Sequence, residues 1–197
     1  MELTQAKPTP RERLLAGLAE SISEKGLQHT QIGDIVKRAR ASRRTFYECF
    51  PDKESCFIEL IRAASQTLVA EIEAAVDPAA PWETQVDQAI DAYLGALAGN
   101  PALTATVSRE LPTLGARGAA LQQEGVDRFA RLIVTLASRP EMREAGIEPV
   151  DLDTAVMLTG GISELVARAD PHDEDLSKVA ETAKPVIKAV LAPGGDG

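Results

Sequence analysis

The stretch from Thr30 to Lys53, TQIGDIVKRARASRRTFYECFPDK, limits the possible folds of this chain more than any other. Its first half sets Ile32, Ile35, Val36 and Ala39 on one helical face, with Thr30 placed to cap the helix. Its second half offers Ser42 as a cap and carries Phe46 and Phe50 one turn apart on the same side. Only Arg40-Ala41 lies between, a turn too tight for anything but two helices meeting at a steep angle. Five basic residues, Lys37, Arg38, Arg40, Arg43 and Arg44, fall within eight positions of this unit, although the formal net charge of the chain is −9. A positive cluster in an acidic protein needs a reason, and phosphate is the commonest one.

The flanking sequence is helical in pattern. Thr9, Pro10 and Glu12 form a capping box ahead of Leu14, Leu15, Leu18 and Ile22, and Gly26 is a natural stop. Asp52 caps a long helix carrying Phe57, Leu60, Ile61, Leu68, Ile72 and Val76, which breaks at Asp77-Pro78. Five further helices are expected, over 81–98, from Asn100-Pro101 to near Pro112, and over about 114–138, 152–169 and 173–191. No strand signal of useful length and no internal repeat appears. Aromatics make up only 4% while Ala and Leu abound, which favours an all-helical protein. The expected fold class is all-α, with about nine helices. A three-helix helix-turn-helix domain spans 1–51, a second helical domain spans 52–192, and 193–197 is expected to be a disordered tail.

Charge divides along the same line. Residues 1–65 hold eleven Lys and Arg against nine Asp and Glu, a net of +2, whereas residues 66–197 carry −11. This reads as a small basic module on an acidic body. There is no apolar run of about 18 residues to suggest a membrane span, and the N-terminus lacks the apolar core of a secretory signal. A reduced, cytoplasmic protein is the simplest reading. Cys49 and Cys56 are too few and too close for a disulfide framework; they read as packed or idle thiols, or as a redox switch. His29 and His172 stand alone, so no metal site is expected. Asp151, Asp153 and the run Asp173-Glu174-Asp175 sit at helix starts, where they complement helix dipoles. No nucleophile–base pair or phosphate-cradling glycine loop is present, so neither an enzyme nor a cofactor is expected.

In a helix-turn-helix, the first helix crosses the DNA backbone and props the second in the major groove. The second therefore needs an apolar underside, here Phe46 and Phe50, and a polar outer face, here Arg43, Arg44 and Tyr47. Thr30, Ile35, Val36, Ala39, Ser42, Thr45, Phe46, Tyr47, Phe50 and Lys53 together resemble the N-terminal pattern of the tetracycline-repressor (TetR) family of bacterial transcription regulators. The motif covers about a quarter of the chain, and the remainder is similar only in layout. Two positions depart from the pattern: Arg40 stands where the family has a turn glycine, and Cys49 where it has histidine.

The resemblance implies a homodimer that binds a palindromic double-stranded DNA operator, most often as a repressor. Thr30, Tyr47 and Lys53 would hold phosphates, Arg43, Arg44 and Thr45 would reach base edges or nearby phosphates, and Lys37, Arg40 and Ser42 complete the expected DNA face. An unidentified small hydrophobic ligand would enter the second domain. Trp82, Tyr93, Arg109, Glu110 and Phe129 are candidates for its pocket, and equally for core or surface positions. The family's last two helices pair across a two-fold axis. Leu152, Val156, Gly160, Gly161, Ile162, Leu165, Val166, Val179, Val186, Ile187 and Val190 would then form the seam, with Pro185 kinking the last helix. The glycine pair suggests close approach of another backbone. Control by a partner protein, or action as an activator without a small ligand, stays open, because an apolar pocket and an apolar interface look alike in sequence.

Overall fold

The computed structural model describes residues 7–169 and 175–192. The expectations for His172, Asp173, Glu174 and the tail 193–197 therefore lie outside the described residues. Among the described residues, ten α-helices follow one another: α1 (Pro10–His29), α2 (Ile32–Arg38), α3 (Arg43–Cys49), α4 (Lys53–Ala75), α5 (Trp82–Gly99), α6 (Pro101–Glu110), α7 (Ala116–Ala137), α8 (Pro140–Glu144), α9 (Leu152–Arg168) and α10 (Asp175–Leu191). A 3-10 turn, Leu111–Leu114, joins α6 to α7. Among the described residues there is no strand, and no helix is long and apolar enough to cross a membrane.

Local chemistry sets most helix ends. The Thr9 hydroxyl accepts from the Glu12 N–H at 3.2 Å while the Thr9 N–H donates to the Glu12 carboxylate at 2.6 Å, completing the capping box. Ser42, Asp52, Asn100 and Asp151 cap α3, α4, α6 and α9 through their side chains. Backbone N–H donors hold the Glu12, Asp52 and Asp151 carboxyls below their ordinary range. Gly26 interrupts α1 with φ 76°, a conformation that costs glycine little.

Two ends differ from the sequence expectation. Thr30 does not cap α2. It closes α1, its N–H donating to the Leu27 carbonyl, and Gln31 takes the N-cap position of α2. Helix α8 has no counterpart among the expected helices, because five residues show no periodicity; only Pro140 at its start marks it.

The described residues form two apolar cores. The first gathers Leu14, Leu18 and Ile22 of α1, Ile35 of α2, Phe46 and Phe50, and Phe57 and Ile61 of α4. It does not stop at residue 51: the first turns of α4 complete it, and Leu121 of α7 and the 3-10 turn pack on it. The second core joins Val86, Ile90 and Leu94 of α5 to Met142, Leu158, Val179, Ile187 and Leu191. Ion pairs brace the helices between the cores. Arg62 of α4 donates twice to Glu124 of α7 at 2.7 and 2.8 Å, and Arg117 of α7 reaches Glu54 and Ser55 at the start of α4. Lys184 and Lys188 of α10 pair with Asp91 and Asp87 of α5, both at 2.7 Å.

Candidate nucleic-acid interface

Helix α3 is seven residues long and has two distinct faces. Phe46 and Phe50 are completely or almost completely buried, their rings 5.8 Å apart. Turning about 100° per residue along the helix brings Arg44 and Glu48 to the opposite side and Tyr47 to the flank, all exposed, and Arg43 in the first turn is exposed as well. Burying two phenylalanines contributes roughly 3–6 kcal/mol to holding the helix in place, so the outer face is carried on a firm base.

Helix α1 fixes that base from below. The Arg11 guanidinium lies 4.6 Å from the Phe50 ring centre and donates to the Cys49 carbonyl at 3.2 Å, at the end of α3. Arg13 donates to the Ala39 carbonyl at 3.2 Å, at the end of α2. Both place a cation where a helix presents unpaired carbonyls. Nothing local in the sequence marks these two arginines, because their partners lie 26 and 38 residues away. At Gly17 the backbones of α1 and α2 approach so closely that a Cβ would lie 2.7 Å from the Ile35 carbonyl oxygen.

The nine expected DNA contacts divide into three groups. Lys37, Arg40, Arg43, Arg44 and Tyr47 are exposed, Tyr47 at 58%. Lys37, Arg40 and Arg43 have no ion-pair partner among the described residues, while Arg44 pairs with Glu48 at 2.9 Å in full solvent. Such an exposed pair is worth at most about 1 kcal/mol and yields readily to phosphate. Ser42 and Thr45 are joined through their hydroxyls at 2.9 Å, with Ser42 also capping the helix.

Thr30 and Lys53 form the third group, and they turn inward. The Thr30 hydroxyl is buried at 1% exposure, donating to the Gly26 carbonyl at 2.7 Å and lying 2.9 Å from Ser21 Oγ. Lys53 Nζ donates to the Leu27 and Thr30 carbonyls, both at 2.8 Å, and desolvation lowers its pKa. Together they lock the end of α1 to the start of α4. The motif fixes where these residues sit, but their polar atoms donate to the Gly26, Leu27 and Thr30 carbonyls around the end of α1.

Arg40 is the one non-glycine residue with positive φ among the described residues, at 48°. A side chain in this conformation costs roughly 1–2 kcal/mol, part of which glycine would return as unfolded-state entropy. Arg40→Gly is therefore expected to raise stability by up to about 1 kcal/mol while weakening DNA binding through the lost cation. Thermal unfolding and operator titration of the same variant check both halves. Cys56 is fully buried and desolvation pushes its thiol up to about 12, which leaves little thiolate at neutral pH.

A cavity of about 70 Å³ lies between α4, α5, α7 and α9. Tyr93 and Phe129 line it, their rings 5.5 Å apart in a T-shaped pair, and burial pushes the Tyr93 phenol up to about 12. The other three expected pocket residues are elsewhere. Trp82 opens α5 and packs on the second core, eleven residues or about 16 Å from Tyr93 along the helix. Arg109 and Glu110 end α6, where Glu110 accepts from Gln28 of α1 at 3.3 Å. They sit at the joint with α1 because α6 packs there and not over the cavity.

The outer faces of α9 and α10 leave large apolar side chains in solvent: Leu152 (47%), Met157 (64%), Leu165 (36%), Val186 (51%) and Val190 (43%). Val156 and Val166 are half-buried. Val179 and Ile187, expected in the seam, instead fill the protomer's own second core, and Ile162 lines the cavity. Met157, the most exposed of the group, is absent from the expected seam. A Cβ at Gly160 or Gly161 would touch nothing within 4 Å, so the pair is open space within the protomer. Pro185 lies on the exposed side of α10.

Residues 14–60 match the sequence model of bacterial regulatory proteins, tetR family. No curated protein matches the sequence. Among solved structures, the chain is similar to the fatty acid degradation regulator FadR from Bacillus halodurans at 19% identity and TM-score 0.71, over 94% of this chain and 98% of that one. It is equally similar to Salmonella enterica GusR, at 18% identity and TM-score 0.71, over 97% and 99%. FadR from Bacillus subtilis in complex with stearoyl-CoA matches at 19% identity and TM-score 0.65, over 94% and 98%.

Proposed function

From the premise that this chain has the fold of the tetR-family transcriptional regulators and carries their N-terminal sequence pattern, we propose that it is a homodimeric, cytoplasmic repressor. It binds a palindromic DNA operator through α3 and releases it when a small apolar ligand enters the second domain. The observation that carries this reading is the two-faced α3, with phenylalanines buried and Arg43, Arg44 and Tyr47 exposed. Lys37 and Arg40 flank that face as phosphate contacts. Thr30, Ser42, Thr45 and Lys53 act as positioning residues, holding the helix starts that present it. The acidic body is repelled by DNA and leaves only the basic head to dock.

The dimer forms through the exposed apolar stripe on α9 and α10. That stripe has the chemistry of a buried seam and no cover within the described protomer. Gly160 and Gly161 then have the partner's backbone as neighbour. Release works through α4, which starts beneath the reading head at Lys53 and lines the cavity at Ile72, about 28 Å along the helix axis. A ligand pressing on Ile72 tilts the helix and changes the spacing of the two heads, coupling the two sites.

The Bacillus subtilis FadR structure holds stearoyl-CoA. Here no charged side chain lines the cavity, so a ligand bearing phosphates is disfavoured. The reading is tested by anisotropy titration of a selected duplex across salt. Four exposed cations per protomer give a slope of log K against log salt between about −4 and −7 for a dimer. A slope near zero excludes phosphate-anchored binding.

A further inference from the structure

The second-domain cavity has one polar feature that the packing leaves unexplained. Thr159 of α9 lines it at 6% exposure, and its hydroxyl has no hydrogen-bond partner among the described residues. A helical threonine normally satisfies itself on the carbonyl four residues back. Leaving a buried hydroxyl unpaired is costly, and native proteins rarely do so without a use for it. Around it the walls are largely apolar, with Ile72, Ile90, Phe129 and Ile162 among them; Tyr93 and Ser163 are the other lining residues that carry hydroxyls, and none of the lining residues is charged.

We infer that this cavity takes a small uncharged molecule, largely apolar and carrying one hydrogen-bonding group, of the phenol or short-alcohol class, with Thr159 as its polar anchor. The inference rests on the ligand-release reading for its purpose, but the site is defined by the cavity alone. A charged ligand would lose its hydration with no counter-charge to replace it. A ligand without a polar group would leave the Thr159 hydroxyl as unsatisfied as before. Size adds a consequence. The cavity is about 70 Å³, roughly half of one known to hold benzene, so a ring enters only by moving a wall. Ile72 of α4 is one of those walls, which connects binding to the helix that supports the reading head.

Calorimetric titration of the full chain with phenol, benzene and benzoate tests the assignment. Phenol is expected to bind about tenfold more tightly than benzene, the difference of one buried hydrogen bond, and benzoate not measurably. Thr159→Val, which keeps the shape and removes the unpaired hydroxyl, should fold at least as stably. It should bind benzene as before and lose the phenol preference, while Thr159→Ser should retain it. Tightest binding of benzoate, equal binding of phenol and benzene by the unaltered chain, a preference that survives in Thr159→Val, or no binding of any probe overturns the site. The operator titration is read separately. Phenol that binds at Thr159 yet leaves operator affinity unchanged supports the site and removes the release mechanism instead.

Discussion

Arg44→Ala and Tyr47→Ala are each expected to abolish specific operator binding while leaving the helical circular dichroism spectrum and the unfolding temperature almost unchanged. Their exposure separates the two effects. Tyr47 is 58% exposed, and among the described residues Arg44 pairs only with Glu48, in full solvent, so their removal costs the fold about 1 kcal/mol or less. On DNA, an arginine bonded to guanine O6 and N7 is worth about 1–3 kcal/mol per base, and two-fold symmetry applies each substitution twice. For Arg44→Ala the expected loss is therefore about 30-fold to 10⁴-fold in affinity for the cognate duplex, with binding to unrelated DNA much less affected. Operator affinity retained in both variants removes α3 from the interface. By contrast, Phe46→Ala should lose binding by a different route, unfolding the head at a cost of about 3–5 kcal/mol.

Met157→Glu is expected to convert the dimer to a monomer, and with it to reduce operator binding to the non-specific level. Met157 is 64% exposed in the protomer, so a carboxylate there is harmless to the isolated fold. In a two-fold seam the same residue from both protomers would bring unpaired negative charge into an apolar interface, at a cost of several kcal/mol. Val186→Glu, on α10 and 51% exposed, should do the same. Size-exclusion chromatography with light scattering reads the mass directly. A chain that stays dimeric with both substitutions uses another surface, and the α9–α10 seam is then wrong.

What the sequence reveals and what it conceals follow from the range of each interaction. The capping box at Thr9 and Glu12, the caps at Ser42 and Asp52, and the break at Gly26 depend on residues within one turn, so composition and spacing disclose them. The positive φ at Arg40 is legible only through the resemblance, which puts a turn glycine at that position. Interactions across the chain are not. Thr30 and Lys53 fit a pattern associated with phosphates, but their partners are carbonyls at the end of α1. Helix α10 shows why the sequence suggests too broad a seam. Val186 and Ile187 are adjacent and both apolar, yet they point about 100° apart, one into solvent and one into the core. A helix with apolar residues on two faces does not say which face its own chain covers. For the pocket candidates, Tyr93 and Phe129 line the cavity, whereas Arg109 and Glu110 lie elsewhere, since the sequence does not tell which helices form its walls.

The central claim is that two copies of α3, presented by one symmetric dimer, read a defined duplex sequence. Repeated selection from random duplexes by the full chain tests it with no operator sequence assumed. The expected product is an inverted repeat whose half-site centres lie about one helical turn apart, roughly 34–36 Å or a multiple of it, and Arg44→Ala should fail to enrich it. Recovery of no preferred sequence, or of a single half-site without a symmetric mate, would contradict the claim.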